Sequence, residues 1–362
     1  MLVTAIEAKP LRSLDRVRID LAPGIVSVIG ANGTGKTNLV EALYFALTGR
    51  SFRTSDRRDL IPFGGSLARA EATIRDEDGV EHKLLASVSR GEGRRHLLDG
   101  EPAAPATIAR NRPPVAVFAP DRLTLVKGPP AERRAHLDGF IAARWPARSE
   151  LRKRYGQAIA QRNALLSRLS GGSGSPEDLR IWDSGLAEAA ALLVEARSEA
   201  VAELAGPFAT TATELGLAEG TLEYAPRATG GAEEIRAGLE ERRAQDIRLG
   251  RSSWGPHLDE LKLLTAGRSL RRFGSQGQQR ASLLALLFAE RAALLEARRV
   301  TPLLLLDDVM SELDPQRRDL LVGRLGDGGQ VLITAADEES VPAAARESVV
   351  RMPLPQTEGA EG

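Results

Sequence analysis

The stretch Gly30-Ala31-Asn32-Gly33-Thr34-Gly35-Lys36-Thr37 constrains this chain more than any other. It follows the short apolar run Val26-Ser27-Val28-Ile29 and precedes Asn38 to Leu47, whose apolar residues recur at helical spacing. Strand, glycine loop and helix, in that order, form the context that gives a G-x-x-x-x-G-K-[ST] pattern its meaning. Glycines let successive backbone N–H groups curl inward, and the helix dipole adds positive potential at its first turn, so the loop holds a polyphosphate. Gly30 to Asn38 are therefore candidate ATP contacts. Lys36 is placed to reach the β and γ phosphates and Thr37 to offer its hydroxyl to Mg²⁺. A glycine turn that only joins strand to helix would account for Gly30 or Gly35, but not for Lys-Thr at the helix start.

With 362 residues, 42% of them hydrophobic, the chain can bury a large core and hold two domains of ordinary size. Lys+Arg and Asp+Glu balance at 49 each, so any nucleic-acid surface must be a local patch on a neutral body. The absence of cysteine excludes disulfides, thiolate metal sites and cysteine nucleophiles, and four histidines argue against a zinc site. The first residues lack the basic start and apolar core of a signal peptide, and nowhere do 18 apolar residues run together. A cytoplasmic location without a membrane partner is expected.

Residues 2–8 and 15–21 alternate like half-exposed strands, and the helix after the phosphate loop stops at Gly49. Arg50, Arg53, Arg57 and Arg58 follow; they are either a solvated turn or a phosphate contact. Residues 68–75 and 80–89 read as strands, and Arg94 to Leu98 runs into the hairpin signal Asp99-Gly100. Val115 to Phe118 is a buried-strand candidate. After about residue 120 the texture becomes helical: 131–144 and 147–169, broken at Trp145-Pro146, then the flexible link 171–176, then 177–204. The first limb of this hairpin has nine basic and three acidic residues (131–168), the second seven acidic and two basic (177–204). Either the limbs neutralise each other, or the first leaves a basic face for DNA phosphates. Strand-like stretches return at 258–264 and 268–273. Then come a long helix from Gln276 to Arg298, the apolar strand Leu303 to Leu306, a helix from Gln316 to Leu325 and the apolar strand Val331 to Thr334. Such strands belong inside a parallel sheet covered on both faces, so one sheet is assembled from both ends of the chain. The expected division is a head of residues 1–120 and 250–353, an inserted helical domain of 121–249, and a loose tail of 354–362.

Asp307 and Asp308 end the buried strand Leu303 to Leu306, where an α/β sheet presents residues to its ligand. Asp307 is a candidate for holding Mg²⁺ through water, and Asp308 for orienting or deprotonating the attacking water. Ser275 stands three residues before Gln278, ahead of an apolar-periodic helix, and a capping box explains that pair without any ligand. Gly277 in the same first turn is poor for helix stability and suits close approach of an anion.

The phosphate loop, Ser275-Gln276-Gly277-Gln278, Asp307-Asp308 and then Ser311-Glu312-Leu313-Asp314 occur in the order found in ABC-type ATPase heads of the SMC and recombination-repair branch, which this chain resembles. The short helical insert narrows the resemblance to the RecF family, as do Phe118 to Leu123, Lys127 to Asp138 and Gly255-Pro256-His257-Leu258-Asp259. That resemblance implies an α/β ABC-type P-loop head with a mixed or parallel sheet and an inserted α-helical hairpin. It also implies an ATP-dependent homodimer in which Ser275, with Gly277 and Gln278, meets the γ-phosphate held by Lys36 of the other copy. The dimer would clamp single- and double-stranded DNA at gaps and act with RecO and RecR to load RecA, in DNA repair, replication and the SOS response. Hydrolysis would be weak, DNA-dependent and a release switch. Two features support slow turnover. Thr334-Ala335-Ala336-Asp337 stands where transporter heads carry a switch histidine, and Asp308 is one methylene shorter than the usual Glu. An ABC transporter subunit and an SMC-like structural tether are the alternatives.

Overall fold

The computed structural model describes the chain except residues 55, 92, 120–122, 299–300, 311–312, 314, 326–328, 342, 347 and 353–362. The expected tail 354–362 therefore lies outside the described residues. The chain divides into two compact units, Met1–Arg122 with Leu294–Gly362, and Leu123–Ala293.

The first unit is built on two sheets. Five parallel strands lie in the order Ser348–Arg351, Ile25–Ile29, Val331–Ala335, Leu303–Leu306, Val115–Phe118. The two strands Leu303–Leu306 and Val331–Ala335 are buried at every residue, as continuous apolar runs require. This sheet joins both ends of the chain, as expected. The strand at 348–351 carries no comparable apolar signal, and only its pairing with Ile25–Ile29 reveals it. Six antiparallel strands form the other sheet, in the order Val17–Asp20, Leu2–Ala8, Leu67–Arg75, Glu81–Ser89, Gly93–Leu98, Glu101–Pro102.

The helix Lys36–Thr48 packs against the antiparallel sheet, with Leu39, Leu43, Phe45 and Leu47 wholly buried. Each such side chain contributes about 1.5–3 kcal/mol of burial free energy. Gln330 stitches the sheets together: its side-chain amide donates to Val3 O (2.7 Å) and Ala22 O (3.0 Å), and its oxygen accepts from Val3 N (2.8 Å). The helix also buries the carboxylate of Glu41, which accepts from Arg12 (2.5 and 2.9 Å) and from Ser51 (2.5 Å). A buried charge held this way is costly to strip of one partner, by about 3–5 kcal/mol.

The second unit centres on Leu151–Ser170 and Leu179–Glu214, two packed helices joined through the Gly171–Ser175 link. The second helix runs ten residues beyond the expected end at 204, passing through Pro207. Phe208, Thr211 and Ala212 continue its buried face, so packing overrides the proline signal. Charge neutralisation across the hairpin is visible pair by pair: Arg144 to Glu203 (2.8 Å), Arg148 to Glu199 (2.5 Å) and Arg154 to Glu188 (3.4 Å). Arg162, fully buried, meets Asp183 (2.7 Å) and Asp246 (2.6 Å), while Arg197 meets Asp138 and Asp259.

The domain boundary differs from expectation. Residues 250–293 belong to the second unit rather than to the head. The cause is a short antiparallel sheet in which Glu260–Thr265 pairs with Gly220–Ala225 and with Arg268–Ser269, reinforced by Arg133 gripping Glu260 at 2.7 and 3.0 Å. Residues 268–273, expected to form a strand, are a strand only at Arg268–Ser269 and then turn as the short helix Leu270–Phe273.

Candidate nucleotide site

The phosphate loop closes at a helix start that has no side-chain cap. Gly35 occupies the N-cap position at φ 94°, and among the described residues no side chain caps this end. Its N–H groups are therefore open to an anion. A Cβ on Gly35 would stand 2.6 Å from Leu14 Cδ2, so neither the backbone angle nor the space admits another residue without strain. Thr34 bridges the loop by donating to Ala31 O (2.9 Å). Lys36 is buried, with its ammonium donating to Gly30 O (2.6 Å) and Ala31 O (3.0 Å), so its charge is aimed into the loop.

Across the sheet, Thr37 donates its hydroxyl to Asp307 Oδ2 at 2.7 Å. Thr334 donates to Asp307 Oδ1, also at 2.7 Å, and accepts from the backbone N–H of Asp308 at 2.9 Å. Burial holds Asp307 above the usual carboxylate range, the hydroxyls of Thr334 and Thr37 oppose that shift, and the neighbouring Asp308 adds to it. Asp308 itself adopts a left-handed backbone at φ 49°, which turns the chain sharply at the strand end. The role of Thr334 was not legible in the sequence, because it depends on the register Leu306↔Ile333 between two parallel strands.

Asn32, Gly33, Gly35, Lys36, Thr37, Asn38, Arg53, Asp307 and Asp308 line one cleft of about 410 Å³. The expected phosphate-loop and strand-end residues among these thus face a common space, while Gly30, Ala31 and Thr34 shape the turn behind it. Arg53, one of the four arginines for which the sequence left open a solvated turn or a phosphate contact, is also on that wall. Its guanidinium donates to Asn38 Oδ1 (3.2 Å) and lies 3.5 Å from Glu41. The donor set fits Mg²⁺, which takes one or two carboxylates together with phosphate oxygens: Asp307 and the Thr37 hydroxyl already converge. Among the described residues no cluster of three or more His, Cys, Asp or Glu could hold a metal without a ligand's help.

Ser275, Gly277 and Gln278 lie in the second unit. Ser275 Oγ accepts from Gln278 N (3.2 Å) and Gln278 Oε1 accepts from Ser275 N (2.9 Å), so the capping box is formed at the start of Gln276–Arg298. Of the stretch Ser311 to Asp314, only Leu313 is among the described residues.

The RecF/RecN/SMC N terminal domain family matches residues 2–358. The DNA replication and repair protein RecF of Heliobacterium modesticaldum is 35% identical over 353 residues, covering 92% of each chain. The chain belongs to the RecF family. Its RecF relative in Streptomyces avermitilis is 36% identical over 359 residues, covering 94% of this chain and 95% of the other. Among solved structures, the recombination mediator protein RecF with ATP in the RecFOR pathway superposes with a TM-score of 0.85 at 26% identity, covering 94% of this chain and 93% of that one. An Smc head bound to the C-winged helix domain of ScpA shares the fold, with a TM-score of 0.57 at 17% identity. These matches place the ABC-type ATPase head and its helical unit in one RecF-type chain. Among the described residues no helix is long and apolar enough to cross a membrane.

Proposed function

We propose that this chain is an ATP-dependent DNA-binding recombination mediator that acts as a nucleotide-driven homodimer in the cytoplasm. The observation that carries the reading is the hydrogen bond from Thr37 to Asp307 at the mouth of an uncapped phosphate-loop helix, which brings both halves of an ATPase site together. The loop N–H groups and Lys36 bind and orient the triphosphate. Mg²⁺, held between Thr37 and Asp307, would supply charge neutralisation at the β and γ phosphates. Asp308 accepts a hydrogen bond from water and holds it for attack. Ser275 of the other copy completes the site, so that ATP joins two heads face to face around DNA.

Turnover is slow in this reading. Ala335 stands where a switch histidine would, and the short Asp308 side chain reaches less far than Glu toward a water. Hydrolysis then serves as release of DNA. By kinship with RecF proteins, the clamp works at single-strand gaps and single–double-strand junctions with RecO and RecR and helps load RecA. The test is fluorescence anisotropy of labelled gapped DNA. Retention is expected with ATP and Mg²⁺ and not without nucleotide, and Lys36→Met should abolish it. Equal retention with and without ATP would overturn the proposal.

A further inference from the structure

The four arginines that follow the phosphate-loop helix have separate fates. Arg53 faces the nucleotide cleft. Arg58 is satisfied by Asp56, which it meets through Nε (3.0 and 3.1 Å) and Nη2 (2.7 Å). Arg50 and Arg57 are left, and the fold brings Arg94 to them. The turn Arg57–Leu60 packs on the strand Glu81–Ser89, whose Val88 is paired with Arg94 of the next strand. Arg94 Nη1 comes within 3.5 Å of where a Cβ on Gly49 would stand, and Arg50 is the next residue. Arg50 and Arg94 are exposed and Arg57 half-buried.

Among the described residues none of these three guanidiniums has a carboxylate partner. Burial, then Arg94, then Arg50 all press the Arg57 pKa below its usual value, and nothing acidic opposes them. In a chain with equal numbers of acidic and basic residues, three like charges gathered without a counter-ion are a cost that folding does not require. Arg94 has a partial structural explanation, because Gly49 caps the C-terminal, negative end of the helix Lys36–Thr48. That explanation does not extend to Arg57. The hairpin of the second unit, the other candidate basic face, has much of its positive charge neutralised internally.

We propose that Arg50, Arg57 and Arg94 form a docking surface for the phosphate backbone of DNA. The proposal rests on the DNA-binding reading above and adds to it the place on the head where the polyanion lies. Phosphates spaced along a strand replace the missing counter-ions, and the contacts carry no base preference.

The experiment measures DNA affinity of the full chain with ATP and Mg²⁺ across a range of salt concentrations, on single-stranded and duplex oligonucleotides. Removing one arginine–phosphate pair should reduce the slope of log affinity against log salt by roughly 0.7–0.9. Arg57→Gln should therefore lower the slope by about one such step and the triple Arg50→Gln, Arg57→Gln, Arg94→Gln variant by about two to three. The matching triple Lys variant should restore most of the slope. Arg58→Gln, close by in sequence but paired with Asp56, should leave it unchanged, and binding of a fluorescent ATP analogue should be equal throughout. A wild-type slope in the triple Gln variant, even with a lowered melting temperature, would overturn the surface while leaving the proposed function standing. Absence of ATP-dependent DNA binding by the unaltered chain would overturn both.

Discussion

Thr37 and Asp307 are 270 positions apart in the chain and share a 2.7 Å hydrogen bond. The bond forms because Leu303–Leu306 and Ile25–Ile29 flank the same central strand, Val331–Ala335, all three running parallel. Two strand ends thus deliver the helix start and the carboxylate to one cleft.

Asp307 and Asp308 should separate in their effects. Asp307→Asn should lose the Mg²⁺-dependent gain in ATP affinity, whereas Asp308→Asn should keep ATP binding, slow turnover and accumulate DNA-bound dimers. The raised pKa of Asp307 adds a second signature. A carboxyl group whose folded pKa lies above its unfolded value contributes stability that is present at low pH and lost as pH rises through the folded pKa. At neutral pH without nucleotide, Asp307→Asn should then raise the melting temperature, and the difference from wild type should shrink on acidification. Equal loss of ATP by both variants would refute the division of roles.

Thr334 should matter more than a buried threonine ordinarily does. Its single hydroxyl both donates to Asp307 and accepts from Asp308 N–H. Thr334→Val keeps the β-branched shape but leaves that N–H unpaired, at a cost of about 1–3 kcal/mol in stability. It should also weaken Mg²⁺-dependent ATP binding. Thr334→Ser should recover the binding, and a Val variant with unchanged Mg²⁺ dependence would make the hydrogen bonds of Thr334 purely structural.

Ser275 already caps its helix, so Ser275→Ala should cost about 1 kcal/mol of stability whatever else it does. The role across the dimer is tested by mixing. Ser275→Arg alone should bind ATP yet fail to dimerise or retain DNA. Mixed with Lys36→Met, it should regain partial ATPase activity, because one composite site then pairs an intact Lys36 with an intact Ser275. No recovery at any ratio would leave the capping box as the whole explanation.

The site was legible where chemistry is written in adjacent residues: the loop from Gly30 to Thr37, and the Asp pair after Leu303–Leu306. It was not legible where it depends on register. Thr334 acquires its role from the strand beside it, and Arg57 and Arg94 meet only because a turn packs against a sheet. The same limit shaped the fold reading. Gly220–Ala225 is a strand because Glu260–Thr265 pairs with it, and that pairing carries the second unit to Ala293. The helix expected to end at 204 runs on to Glu214, through Pro207, because its buried face continues.

Sedimentation velocity with and without ATP and Mg²⁺ tests the central claim most directly. The account predicts that the wild-type chain shifts from monomer toward dimer on adding ATP, and that duplex DNA strengthens the shift. Lys36→Arg, which replaces a compact ammonium with a broad planar fork in a closed loop, should remain monomeric at the same nucleotide concentration. A wild-type chain that stays monomeric while saturated with ATP, or a Lys36→Arg variant that dimerises as wild type does, would contradict it.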